Sequence, residues 1–393
     1  TRFGVCCSGH LCRNPPGGTL RRNGIANTEV EMNQKTTKSR AVKIGLTAAV
    51  AVIAVGVAPA VAAGPSQAAA TSASVTSAGI VDIPDHAQRA DLSGVTRVGD
   101  KLLIVNDRTP NKDVGQAVYT APTDFKNGAT LTPMTGLPNI DVQKLEGITT
   151  TPSGDYVVAT TAFDRGDQPA FNVLMAWPAN DPSKAQILGS DQGAGGTSGK
   201  LRTELVKALG TPFIKIEGVA VSTDKIYLGV REQGPDFKQS TYVTKIVTVD
   251  YSVTDGAIKL GKVDPDVWKM SPSNSAGLKA PLGLSDLTFD AKQNRLLMTT
   301  SYEKRGVEPE NVAGHLWELP VENISKDKPA EVVTTSTGSP LTFTHKPEGV
   351  VTVPGKGVMV LHDDDERLTT VEAPQGPRAR ALYEAAYDFV TIK

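Results

Sequence analysis

LEGITTTPSGDYVVATTAFDR, residues 145–165, reads as two short apolar strands around a tight turn at Ser153-Gly154-Asp155. A polar residue, Glu146, opens the first strand, and a charged pair, Asp164-Arg165, follows the second. Glycine and aspartate supply the backbone freedom and local hydrogen bonds that such a turn needs. The same pattern recurs at LSGVTRVGDKLLIVNDR (92–108), IEGVAVSTDKIYLGVRE (216–232), LSDLTFDAKQNRLLMTTSYEKR (284–305) and PEGVVTVPGKGVMVLHDDDER (347–367). The opening polar residues are Ser93, Glu146, Glu217, Ser285 and Glu348, spaced by 53, 71, 68 and 63 residues.

A period near 64 residues with about four strands per unit predicts an all-β chain folded as a β-propeller. Two more strand-like runs follow most hairpins: FNVLMAW (171–177) and AQILGS (185–190), YVTKIVTVDY (242–251) and AIKLGKV (257–263), HLWELPV (315–321) and EVVTTS (331–336). The last unit has one such run, YDFVTI (387–392), and the run GIVDI (79–83) stands alone near the other end. Pairing these two would complete the last blade and remove its open edge. Five blades account for the repeats; six is the alternative, but no sixth hairpin is present.

Outside the repeats the chain changes character. Residues 1–31 hold all three cysteines and no apolar period, whereas Met32 is followed by Lys35, Lys38, Arg40 and Lys43. An apolar run over 44–57 and Ala60-Val61-Ala62 come next. A charged start, an apolar stretch and an A-x-A site describe a general secretory signal over 32–62, which predicts a secreted protein with no membrane anchor after cleavage. The apolar run is shorter than the ~20 residues that a membrane span needs. Residues 28–32, Thr-Glu-Val-Glu-Met, match a ribosome-binding site and start codon in ordinary codons. Residues 1–31 are therefore expected to be translated leader, residues 63–77 a flexible linker, and residues 78–393 the propeller.

The whole chain of 393 residues carries 41 basic and 42 acidic side chains. Residues 63–393 carry 33 and 40 and no cysteine. That balance gives no reason to expect a nucleic-acid partner. Lack of cysteine excludes thiol nucleophiles and zinc-thiolate sites, and leaves stabilisation to the core or a bound metal. GAGGTSGK (193–200) lacks the first glycine and the terminal hydroxyl residue of a phosphate-binding P-loop, having Ala194 and Leu201 there. It is expected to be a loop before a short helix over 201–209.

Propeller geometry brings the start of strand one and the end of strand two to one face. Ser93, Glu146, Glu217, Ser285 and Glu348 are thus expected to converge as a ring in the channel. Three converging carboxylates would raise one another's pKa. A divalent cation removes that penalty, and an all-oxygen ring suits calcium. The loops after strand two bring Asp107, Arg108, Asp164, Arg165, Arg231 and Arg305 to the same face. Interleaved acid and base there suit an anionic substrate held by arginines, with a carboxylate to orient water.

The order Ser, Glu, Glu, Ser, Glu at five successive blade openings resembles the calcium-activated nucleotidases, the soluble apyrases. LSGVTRVGDKLLIVNDRT and GLSDLTFDAKQNRLLMTTSYEK are similar to that family's first and fourth blades. The resemblance covers about residues 88–368 and implies a five-bladed propeller with one channel calcium. One departure is Asn106-Asp107-Arg108-Thr109-Pro110, where the family has Asp-Asp-Arg-Thr-Gly. The uniform Leu/Ile/Pro-Glu-Gly triplets are also similar to the bacterial phytase-like, esterase-like propeller proteins.

Three functions are compatible with these residues. The first is a calcium-dependent phosphohydrolase acting on a nucleotide or similar anion, with Asp107 or Asp164 orienting water and Arg108, Arg165, Arg231 and Arg305 binding substrate. The second is a carbohydrate-active enzyme using paired glutamates, which the lack of an aromatic rim disfavours. The third is a non-catalytic extracellular binding propeller with structural calcium.

Overall fold

The computed structural model describes residues 72–108, 117–190, 196–271, 278, 281–304 and 306–393. The expected leader (1–31), signal (32–62) and most of the linker lie outside these residues. Among the described residues no helix is long and apolar enough to cross a membrane.

Five sheets form five blades, each running outward from an innermost strand. Blade 1 is Leu92–Val98, Lys101–Asn106, Val118–Pro122 and Thr132–Pro133, and blade 2 is Leu145–Thr150, Tyr156–Thr161, Leu174–Pro178 and Gln186–Leu188. Blade 3 runs Phe213–Val221, Lys225–Gly234, Thr241–Thr254 and Ala257–Val263, and blade 4 runs Gly283–Asp290, Arg295–Glu303, Val312–Pro320 and Glu331–Val332. Blade 5 is Pro347–Val353, Gly357–His362 and Glu384–Ile392, completed by Ala73–Asp82. Each innermost strand packs on the next, and that of blade 5 returns to that of blade 1, so the ring closes with five blades.

Closure occurs as the orphan strands predicted, with Gly79 opposite Tyr387 and Asp82 opposite Glu384 in an antiparallel ladder. The strand starts earlier than expected, however, at Ala73. The small, polar residues ASVTS, expected to belong to the linker, extend the ladder as far as Ile392. A two-residue strand, Ala129–Thr130, then pairs parallel to its outer edge. The expected helix is present as Gly199–Leu209 and ends on Gly210, whose φ of 67° suits a residue without a side chain. Blade 5 also carries a small hairpin, Thr370–Ala373 with Gly376–Ala379, that periodicity did not reveal.

The core lies between the blades. Trp177 and Met175 fill the gap between blades 1 and 2, and Trp268 and Trp317 that between blades 3 and 4. Leu92, Val95, Phe125, Tyr387 and Phe389 seal blade 5 against blade 1. Burying each such large side chain contributes about 1.5–3 kcal/mol before entropy is counted.

The innermost strands share a local feature that builds the site. In every blade the ladder to the second strand slips by one residue at the opening polar residue. Ser93, Glu146, Glu217, Ser285 and Glu348 are those unpaired residues, so each sits on a β-bulge. A bulge bends the strand and re-aims its side chain. The residue after each bulge is glycine in four blades, because the next blade's inner strand approaches too closely for a side chain. A Cβ on Gly94 would lie 2.7 Å from the Glu146 carbonyl oxygen, and one on Gly218 would lie 2.7 Å from the Asp286 Cα.

Candidate functional site

All five bulge residues are buried, and Glu146 and Glu217 are electrostatic neighbours of Glu348. The three glutamates therefore converge as the repeat predicted. They are not bare. Lys144 Nζ lies 2.8 Å from Glu146, Lys346 Nζ lies 3.3 Å from Glu348, and Lys215 Nζ contacts Glu217 directly. Each lysine stands two residues before its glutamate, in Lys144-Leu-Glu-Gly, Lys215-Ile-Glu-Gly and Lys346-Pro-Glu-Gly. This Lys-x-Glu-Gly signal occurs three times in the sequence and marks both the glutamate and its cation.

A fourth cation completes the ring. Arg231, expected at the rim as a substrate ligand, is instead 2% exposed. Its Nη1 donates to Ser285 Oγ at 2.8 Å and to Ser301 Oγ at 2.7 Å. The same guanidinium lies 3.8 Å from Glu217, 3.9 Å from Glu348 and 3.7 Å from Glu303, and stacks over Tyr242. Gly283 makes room for it, since a Cβ there would lie 2.8 Å from Arg231 Cγ. Arg231 thus reaches three of the five ring residues.

These contacts bear on whether the ring suits calcium. A divalent ion would relieve three mutually repelling carboxylates, and four protein cations already do part of this: burial, then Glu217 and Glu146, still push the Glu348 carboxyl up to about 7 against the pull of Lys346 and Arg231. Burial opposes ionisation of Glu146, yet Lys144 and Lys215 hold it below its ordinary range. Burial also works against the charge on Arg231, and Glu348 and Glu217 overcome it, keeping the guanidinium protonated. As built, each of the three ring glutamates has a protein cation beside it. Ser93 shares the bulge geometry and burial of the other four.

Below this layer blade 4 carries Asp286 where the other blades carry glycine. Its Oδ2 accepts from the Val350 N–H of blade 5 at 2.9 Å. The N–H groups of Leu287 and, in blade 3, of Val219 also reach it. Burial pushes the Asp286 carboxyl well above its ordinary pKa against these bonds. The carboxyl ties three blades together.

At the mouth, blades 1 and 2 bring Asp107, Arg108, Asp164 and Arg165 to one side. Asp107 Oδ2 is 3.7 Å from Lys144 Nζ, and its Oδ1 is buried with no hydrogen-bond partner. Burial, then the charge of Glu146, pushes the Asp107 carboxyl up to about 7 against the pull of Lys144. Arg108 is 60% exposed and touches Asp91, which Arg89 also holds. Asp164 is buried, with Oδ2 3.2 Å from Arg165 and Oδ1 unpartnered. Arg165 lies over the exposed Phe237 ring. Arg305 lies outside the described residues.

The backbone here is unusual. Lys144, Phe163 and Asp365 have φ of 57°, 56° and 52°, a region that side chains disfavour. For a bulky, fully buried phenylalanine this is a true outlier. Such strain costs of order 1–3 kcal/mol per residue and concentrates where side chains must be held in place for function. Lys144 and Phe163 flank the mouth, next in sequence to ring and rim.

The acidic run Asp363–Glu366 begins inside the protein, with Asp363 and Asp364 buried. Asp364 is buried and accepts from Thr369 Oγ1 at 2.6 Å and the Lys346 N–H at 2.8 Å, with His345 at 2.6 Å. Despite burial, the His345 hydrogen bond and these donors bring the Asp364 carboxyl down to about 2. Asp365 pairs with Lys346 at 3.1 Å and with Arg367 at 2.8 Å. Among the described residues, no group of three or more metal-ligating side chains is arranged to hold an ion.

No protein-family model and no curated protein matches this chain. Solved structures do. The chain is similar to the extracellular domain of a B. thetaiotaomicron hybrid two component system at 12% identity and TM-score 0.30, over 70% of this chain and 26% of that one. It thus spans about a quarter of that relative's length. It is similar to a periplasmic gluconolactonase of Pseudomonas aeruginosa at 12% identity and TM-score 0.32, covering 73% and 83%. A luciferin-regenerating enzyme follows at 10% identity and TM-score 0.38, covering 81% and 97%. At these scores the five-bladed fold rests on the chain's own sheets.

Proposed function

We propose that the channel mouth is the active site of an exported hydrolase that cleaves phosphoester or phosphoanhydride bonds in a small anionic substrate. The observation that carries this reading is Asp107. It is a carboxylate with a pKa near 7, an unpartnered oxygen and a lysine at 3.7 Å, at the edge of an open cleft. A general base works best when its pKa lies near the working pH. Asp107 would take a proton from the water as it forms a bond to phosphorus; the P–O bond to the leaving group would break, and the departing oxygen would take that proton back from Asp107. Lys144 and Arg108 would face the charge that develops on the phosphoryl oxygens, and fixed cations in a partly dry site stabilise such charge strongly. Arg165 would hold a second anionic group of the substrate.

The role first expected of calcium, balancing the ring carboxylates, falls in this reading to Lys144, Lys215, Lys346 and Arg231. Arg231 is the hub of the ring rather than a substrate ligand. The charged segment before Ala62 supports export.

A phosphate-release screen over nucleotides, sugar phosphates and aryl phosphates tests the proposal. Release by the protein and a roughly 10²–10⁴-fold loss in Asp107→Asn are expected, the usual contribution of a positioned base. A protein that releases no phosphate from any of them would leave a binding propeller in place of an enzyme.

A further inference from the structure

The cleft at the mouth has a volume of ≈ 1100 Å³ and two unlike sides. Blades 1 and 2, with the segment leading into blade 1, contribute Arg89, Asp107, Arg108 and Lys144. Blades 4 and 5 contribute Val307, Pro309, Leu368 and Leu382, with Glu366 beside them reaching across to Arg89 at 2.9 Å. Val307, Leu368 and Leu382 are 62%, 55% and 43% exposed, and they are three of the six exposed large apolar side chains among the described residues. Scattered exposed apolar residues need no explanation, but three facing one charged cleft do.

We infer that the substrate is amphiphilic: an anionic phosphoryl group on the blade 1–2 side, joined to an apolar body that lies on Val307, Leu368 and Leu382. This rests on the reading of the mouth as a phosphoryl site and narrows it. Charge complementarity sets the orientation. Arg108 and Lys144 offer cationic groups that water still reaches, whereas the opposite wall offers no donor from its apolar side chains. A sugar or nucleoside would leave that wall wet, and an alkyl or aryl group would cover it. The apolar part would be the leaving group, because the phosphoryl end is the one beside Asp107.

Calorimetric titration of the protein with methyl-, butyl- and octylphosphonate tests this, since the C–P bond resists hydrolysis and binding is read alone. Affinity should tighten at least about tenfold from methyl to octyl, well below the limit for full burial of the added methylenes. In Val307→Ser with Leu368→Ser that gain should shrink to less than about threefold, because the wall no longer repels water. Equal affinity along the series, or a gain that survives both substitutions, overturns the inference. The two readings fail separately. Phosphate release from polar esters with a flat phosphonate series removes the amphiphile and keeps the hydrolase. A steep series without release from any ester keeps the amphiphile site and removes the hydrolase.

Discussion

Asp107 and Arg231 hold opposite positions in the same charge network, and substitution separates them. The Asp107 carboxyl titrates near 7 when folded and near its ordinary 3.8 when unfolded. Because the folded state binds the proton more tightly, this group favours folding below pH ~4 and loses that contribution as pH rises to ~7. Asp107→Asn should therefore unfold at a higher temperature than the wild type at pH 8, with the gap closing below pH 4. Thermal melts at the two pH values check the sign. A stabilising substitution that abolishes turnover is the trade expected of a strained catalytic position. Arg231 should behave in the reverse way. Arg231→Met keeps the volume but leaves Glu217 and Glu348 with less countercharge and takes the guanidinium donor from Ser285 and Ser301, which keep only their bond to each other. Loss of one partner from a buried network costs about 3–5 kcal/mol, measurable by urea unfolding. An unchanged midpoint would show that the guanidinium is not the hub of the ring.

At the scale of elements, the five bulges and their glycines make the ring, and Gly218 is the sharpest test. A methyl group there would meet the Asp286 Cα at 2.7 Å, a backbone atom that cannot turn away. Gly218→Ala should cost about 1–3 kcal/mol through overpacking, seen as a lower melting temperature. The hairpins were legible in the sequence because alternation and turn residues are local. Closure by the first strand was legible too, since an orphan strand at each end invites pairing. The bulges were half legible: a polar residue followed by glycine marks them, but the slip in register depends on the neighbouring blade. Burial of Arg231 was not legible, because a residue at the end of strand two reads as rim until a glycine opposite is seen to admit it. The three lysines were legible in the Lys-x-Glu-Gly repeat, each two residues before its glutamate. Residues 73–77 read as linker because a strand held by backbone pairing at the outer edge of a blade needs no apolar signature.

For the whole molecule, the proposed reading makes the ring's countercharge part of the chain. A propeller whose channel carboxylates were bare would depend on a bound cation, and a ligand that binds only the folded state would raise its melting temperature by mass action. Here Lys144, Lys215, Lys346 and Arg231 are part of the chain, and the inter-blade cores supply the rest. Folding and chemistry should then be independent of free calcium. The most direct measurement is the pH dependence of phosphate release in excess chelator. Release should persist, rise with pH through an apparent pKa near 7 as Asp107 ionises, and be lost in Asp107→Asn at every pH. Abolition of release by chelator with recovery on adding calcium, or a profile that Asp107→Asn leaves intact, would contradict both the self-compensated ring and the base assigned to it.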